Sequence, residues 1–203
     1  PSAGTESLAG SPQVTAEVLP GTNLTGGIRY THDNRTLGGV AQTNGAITAV
    51  RDAAVNFNKL TFRASLDHRF SEQVLAYVSF NRGFKSGLLA GLDNITSAPV
   101  NPEVLDAYEA GLKTDLFDRR LRLNLSAYHY AYKNIQLSQL SSATAGGSGG
   151  IKILNATSAK TWGLEAEAQA ALTDQFTLTG DVAYTHGPYG TFLGAPFRPP
   201  LPF

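Results

Sequence analysis

Hydrophobic and polar residues alternate with a period of two over most of the chain. Leu60, Phe62, Ala64, Leu66, His68 and Phe70 take one side; Thr61, Arg63, Ser65, Asp67 and Arg69 take the other. Successive side chains of a strand point to opposite faces, so this pattern predicts a strand with one apolar and one polar face. Val74, Ala76, Val78 and Phe80 repeat it against Leu75, Tyr77, Ser79 and Asn81. Tyr108, Ala110, Leu112 and Leu116 oppose Glu109, Gly111, Lys113 and Asp115. Further strands are predicted at Leu24–Thr31, from Leu121 towards Leu140, from Thr161 to Ala170, and from Phe176 to Thr185. Gln13–Leu19 alternates over a shorter run and reads as a partial strand. Pro1–Ser11, most of 32–58, the low-complexity run Ser141–Gly150 and the Gly/Pro-rich stretch after Gly187 read as loop or tail.

The connections follow a rhythm. Short turns fall at 20–23, 71–73, 118–119 and 173–174; long connections fall at 32–58, 82–103 and 141–150. Outer-membrane barrels have tight turns at one rim and longer loops at the other. Charges obey parity as well. Arg63, Asp67, Arg69, Glu109, Lys113, Arg122, Glu165, Glu167 and Asp181 share the polar face, and the apolar face carries almost none. Water on one side and hydrocarbon on the other would produce this. A soluble sheet with one wet face is the competing reading.

Composition narrows the choice. The 203 residues carry 16 basic and 16 acidic side chains, a formal net charge of zero, which argues against a nucleic-acid partner. With no cysteine, disulfides and thiolate metal sites are excluded. No apolar run is long enough for a membrane helix, but a barrel strand needs only about 9–11 alternating residues.

Several phrases resemble the C-terminal barrel of TonB-dependent outer-membrane receptors. Tyr77, Ser79 and Gly83-Phe84-Lys85-Ser86-Gly87 are followed by Pro102-Glu103, then Tyr108-Glu109, Gly111 and Lys113. Arg29-Tyr30, Phe117 to Asn124, the Tyr128/Tyr132 run into Asn134-Ile135-Gln136, Asn155-Ala156 and Gly163 to Glu167 resemble further phrases in the family's order. The resemblance implies an all-β fold: seven to eight antiparallel transmembrane strands of a larger, 22-stranded barrel. The plug domain and final strands would lie outside 1–203. It implies TonB-dependent uptake of a scarce nutrient such as a ferric siderophore, with TonB acting through the plug. Outer-membrane lipid and lipopolysaccharide would be the barrel's surroundings. A diffusion porin or small closed outer-membrane barrel, and a soluble or surface β-domain used in adhesion, are the rival readings.

No catalytic set is legible, so an enzyme is not expected, and no cofactor is implied. His32, His68, His129 and His186 show no metal-ligand spacing. Glu165 and Glu167 point the same way and read as a solvated lumen wall before an acid/base pair. Expected lumen-facing residues are Arg63, Asp67, Glu109, Lys113, Arg122, Glu165 and Glu167; Val74, Val78, Leu112, Leu123, Leu164 and Leu178 are expected to face lipid. Ligand selectivity is expected in 82–103, 141–150 and 33–58, because loops on a rigid scaffold usually carry binding groups. The expected contacts are Arg82, Phe84, Lys85, Asp93 and Asn94, with Tyr132, Lys133 and Gln136. Phe84 and Tyr132 could instead join an aromatic girdle, and Arg82 and Lys85 could bind lipopolysaccharide.

Overall fold

The computed structural model describes residues 2–89, 99–141 and 150–187. They form one antiparallel sheet. Its strands are β1 (Ser2–Gly10), β2 (Gln13–Leu19), β3 (Thr22–Thr43), β4 (Ala46–Ser71), β5 (Val74–Lys85), β6 (Glu103–Leu116), β7 (Leu121–Ser141), β8 (Gly150–Ala171) and β9 (Thr177–His186). The order is β1-β3-β4-β5-β6-β7-β8-β9, with β2 also on β3. Each long strand pairs with the one before it, and among the described residues β9 does not return to β1. The sheet is therefore an open piece of barrel wall, which removes the small closed barrel as a reading of these strands.

Two expectations fail at the β1–β4 end of the sheet. Pro1–Ser11, expected as loop, contains β1. Gly10 faces Tyr30 and Gln13 faces Gly27, so two residues still oppose two and the register is unbroken across Ser11–Pro12. β1 and β2 are one edge strand in which Pro12, having no amide hydrogen, accepts from the Ile28 N–H at 3.1 Å but cannot return the bond. The second failure is 32–58, which is not a loop. β3 and β4 stay paired from Thr22↔His68 to Thr43↔Ala46. Asn44 (φ 51°) and Gly45 (φ 81°) close this hairpin. An Asn-Gly pair suits a two-residue turn with both φ positive.

Register confirms the parity of the strands. Val78 faces Ala110, Ala110 faces Ala127, and Ala127 faces Leu164. Val74, Leu112, Leu123 and Leu178 lie on the same face, whose side chains are largely open: Leu164 is 53% exposed. Phe62, Phe80, Tyr108, His129, Trp162 and His186 cross this face in one row. Ring centroids are 5.5 Å apart for Phe62–Phe80, 4.8 Å for Phe80–Tyr108, 6.1 Å for Tyr108–His129 and 5.6 Å for Trp162–His186. Exposed Phe70, Phe117 and Phe176 mark the rim with the short turns. Phe62 to Phe70 is eight steps, about 26 Å along the strand, comparable with an apolar band about 25 Å tall between aromatic girdles.

The polar face has its own packing device. A Cβ on Gly111 would collide with the Tyr77 ring, and one on Gly163 with the Tyr128 ring and the Tyr184 carbonyl. Tyr77 faces Gly111, and Tyr128 faces Gly163. The glycines let the two rings lie flat across the neighbouring strand. This gives the glycines of the Tyr-Glu-x-Gly-x-Lys and Gly-Leu-Glu-Ala-Glu phrases a physical role.

Candidate functional site

The strands outrun the apolar band. β3 has 22 residues and β4 has 26, about 70–85 Å at strand rise, where a membrane crossing uses about 9–11 residues. Much of the excess lies past the aromatic row, on the side of the long connections. There the described ends of the connection between β5 and β6, 86–89 and 99–102, lie against the polar face. Leu88 and Val100 bridge each other, with N···O distances of 3.1 and 2.8 Å. Val100 is 5% exposed and Phe57 8%. Phe57 has the parity of Arg63. A side chain on Gly87 would run into the Phe57 ring and the Val100 carbonyl, so only glycine permits this approach.

Polar contacts complete the anchorage. The Gln136 side-chain amide donates to the carbonyls of Ser86 (2.9 Å) and Asn101 (3.1 Å), and its backbone N–H donates to Glu103 (2.9 Å). Asn155 accepts from the Asn101 N–H at 2.7 Å and donates to the Asn101 carbonyl at 2.9 Å, as a neighbouring strand would. The same Asn155 amide also donates to the Asn134 carbonyl at 2.8 Å. Asn134 itself has a positive φ of 54°. Asp33, opposite Phe57 and beyond the aromatic row, is buried. Burial pushes its carboxyl upward, but the Ser7 and Ser86 hydroxyls beside it, with Arg35 and His32, outweigh this and hold it below the usual carboxylate range.

Lower on the polar face, Glu109 accepts from the Tyr77 hydroxyl. Lys113 lies 5.6 Å from the centre of that ring. Glu165, Glu167 and Asp181 line a depression with Lys113, Asn124 and Tyr77. Arg122 donates to Asp115 at 2.9 Å near the short-turn rim.

The expected contact residues divide. Arg82, Phe84 and Lys85 were expected in a loop but belong to β5, where the ladder continues through Lys85↔Glu103. Tyr132, Lys133 and Gln136 belong to β7. Lys85, Tyr132 and Gln136 have the parity of the polar face. Arg82, Phe84 and Lys133 have the parity of the apolar face, so register separates them from the other three. Asp93 and Asn94 lie outside the described residues, as does most of 141–150; Ser141 and Gly150 themselves end β7 and begin β8. Asn155, Phe57, Asn101 and Asp33 were not anticipated as site residues. Asn155-Ala156 was visible as a phrase, but its purpose depends on a partner 54 positions earlier.

The TonB dependent receptor-like β-barrel family model matches residues 4–201. The metal-pseudopaline receptor CntO of Pseudomonas aeruginosa is 28% identical over 128 residues, covering 61% of this chain and 16% of the receptor. The ferric yersiniabactin uptake receptor FyuA of Yersinia pestis superposes with a TM-score of 0.69 at 18% identity, over 92% of this chain and 28% of that one. The siderophore receptor PiuA of Acinetobacter baumannii gives 0.70 at 20% identity, over 91% and 26%. The chain thus spans about a sixth of its curated relative and about a quarter of these solved receptors. An open antiparallel wall, an aromatic row and a match along nearly the whole chain agree: these residues belong to the β-barrel of the TonB-dependent receptor family.

Proposed function

We propose that this wall belongs to an outer-membrane receptor that imports a metal chelate of the siderophore class. Its polar face lines the lumen and its apolar face meets lipid. The two described ends of the β5–β6 connection, 86–89 and 99–102, held against the polar face, carry this reading. A loop that served only as a cap at the rim would have no need of Phe57, Gly87, Gln136 and Asn155 to hold it against the polar face. Beside these held ends, Lys85 on β5 and Tyr132 on β7 share the polar face and would meet a solute entering from the loop side. The curated relative is named a metal-pseudopaline receptor, and the two solved relatives a ferric yersiniabactin uptake receptor and a siderophore receptor, which supports that class of ligand. TonB, acting on a plug inside the barrel, would supply the work of release.

The test uses the complete receptor in its own outer membrane. Exchange of 86–102 for the matching connection of a receptor with another specificity should transfer the preferred metallophore, read as uptake of radiolabelled metal. Uptake that continued without TonB, or a preference indifferent to this exchange, would sink the reading. Facing is checked separately. A lipid-phase thiol reagent should label a cysteine at Leu164 and spare one at Glu165; the reverse would invert the wall.

A further inference from the structure

Above the aromatic row, the acids of the polar face are engaged and the cations are open. Asp33 is buried beside the Ser7 and Ser86 hydroxyls. Glu103 is half-buried and accepts from the Gln136 backbone N–H at 2.9 Å. Arg29 and Lys85 are exposed, as is Arg63 level with the row, and none of the three forms an ion pair among the described residues. Arg63 donates to the neutral Gln13 side chain at 3.4 Å. These cations border an open floor at Gly83, where an added Cβ would meet nothing within 4 Å. Lys85 follows it by two residues on the same face of β5. Arg63 faces Asn81, two residues before it, and Arg29 faces Thr61, the next polar-face position of β4. On the far side Leu105 faces Gly83, and Tyr132 faces Leu105. Below the row the open charge has the other sign: Glu165, Glu167 and Asp181 share one depression with a single cation, Lys113.

We propose that Arg29, Arg63 and Lys85 form an anion-receiving subsite around Gly83, and that the metal chelate taken by this receptor is anionic, with carboxylate groups left free by the metal. The proposal rests on the importer reading and narrows its ligand. Guanidinium groups suit carboxylates because their forked donors match two oxygens at once. With no acid paired to them, the three cations offer their charge to a solute and not to the wall. The bare floor at Gly83 lets an anion approach the backbone between them. Leu105 and Tyr132 give the chelate's carbon skeleton a less polar border. The change of sign below the row sets the depth of binding. An anionic chelate is held on the loop side and opposed by Glu165, Glu167 and Asp181 if it sinks further, so its onward passage needs work and not diffusion alone.

The test reads the field at Gly83 in the full-length receptor in its own outer membrane, with Gly83→Cys installed and the parent receptor as the blank. Two methanethiosulfonates of similar size are compared, one carrying a sulfonate and one a trimethylammonium group. Their rate ratio on 2-mercaptoethanol, an uncharged thiol, is the reference. At low ionic strength a unit charge about 8 Å away changes the local concentration of a monovalent ion about twofold. The sulfonate gains what the ammonium loses, so each cation moves the ratio about fourfold. The ratio should favour the sulfonate, and Arg29→Gln with Lys85→Gln should lower it about 16-fold. Both side chains are exposed, so the fold is not challenged. Excess citrate, a tricarboxylate, should shield the cysteine from N-ethylmaleimide, and glucose should not. A ratio equal to the reference, a ratio unchanged in the double variant, equal shielding by citrate and glucose, or a cysteine that no reagent reached would each overturn the proposal. Metal uptake that proved independent of TonB while the charge preference held would count only against the importer reading.

Discussion

The wall below the aromatic row and the wall above it are built by different rules. Below, the faces are chemically opposite: Val78, Ala110, Ala127 and Leu164 on one, Tyr77, Gly111, Ser126 and Glu165 on the other. Above, both faces carry polar groups, and the strands persist through backbone pairing, the Asn44–Gly45 turn and side-chain clasps such as Asn155 on Asn101. The lower half therefore carries its alternation in residue type, whereas the upper half is specified by pairing between positions distant in sequence.

The largest predicted effect breaks the comparison directly. Leu125→Arg, midway between His129 in the aromatic row and Leu121 at the short-turn rim, should cost about 2–4 kcal/mol near the midplane of a bilayer. Val40→Arg, an equally exposed apolar residue in the upper hairpin, should stay within about 0.5 kcal/mol, as at ordinary surface sites. Denaturant unfolding of the complete receptor in lipid measures both; equal costs would erase the distinction between the halves.

Next comes packing on the polar face. Gly111→Val should cost about 1–3 kcal/mol, the usual range for overpacking, because it displaces the Tyr77 ring. In a Tyr77→Ala background most of that cost should vanish, giving a coupling above about 0.5 kcal/mol. Full additivity would mean that the ring and the glycine do not constrain each other.

Smaller effects are expected above the row, and they should be local. Asn155→Ala removes three hydrogen bonds, each worth about 1 kcal/mol net, and should make 86–102 several-fold easier to nick with protease. The global unfolding midpoint should shift little. If nicking were unchanged, the connection would be held by Phe57 and Val100 alone. Smallest is Gly45→Ala. It places a Cβ at φ 81°, for a cost of about 1 kcal/mol, read as faster amide exchange near Thr43 and Ala46 only.

The same contrast explains how much the sequence disclosed. Leu60–Phe70 could be read as a strand with one apolar and one polar face because the alternation there is carried by each residue's own type. His32–Asn58 could not, since Asp33, Asn34 and Arg35 look like loop residues until Phe57, Asn56 and Val55 are set opposite them. Asn44-Gly45 was the available signal, a hairpin turn inside an apparent loop. β1 was hidden for the same reason: Ser2–Gly10 has little pattern of its own and takes its extension from β3. Of the site, Gly83 to Gly87 was conspicuous as a phrase. The burial of Phe57 against Gly87 was not, because it joins residues 30 apart through a backbone approach that leaves no mark in residue type. The division of Arg82 from Lys85 followed from parity alone, once β5 was known to continue through both.

The meander order carries a kinetic consequence. Every pairing among β3 to β9 joins neighbours in the chain, and two of the turns, at Asn44–Gly45 and Glu72–Gln73, span only two residues. Closing such short loops costs little entropy and takes microseconds or less. The wall can therefore grow by accretion, each hairpin templating the next strand, without a search for distant partners. Growth of this kind copies its errors forward. A one-residue slip in the β3–β4 hairpin would turn outward the polar side chains of the strands built on it, and there the 22-residue span of β3 gives the register its longest run, against β4.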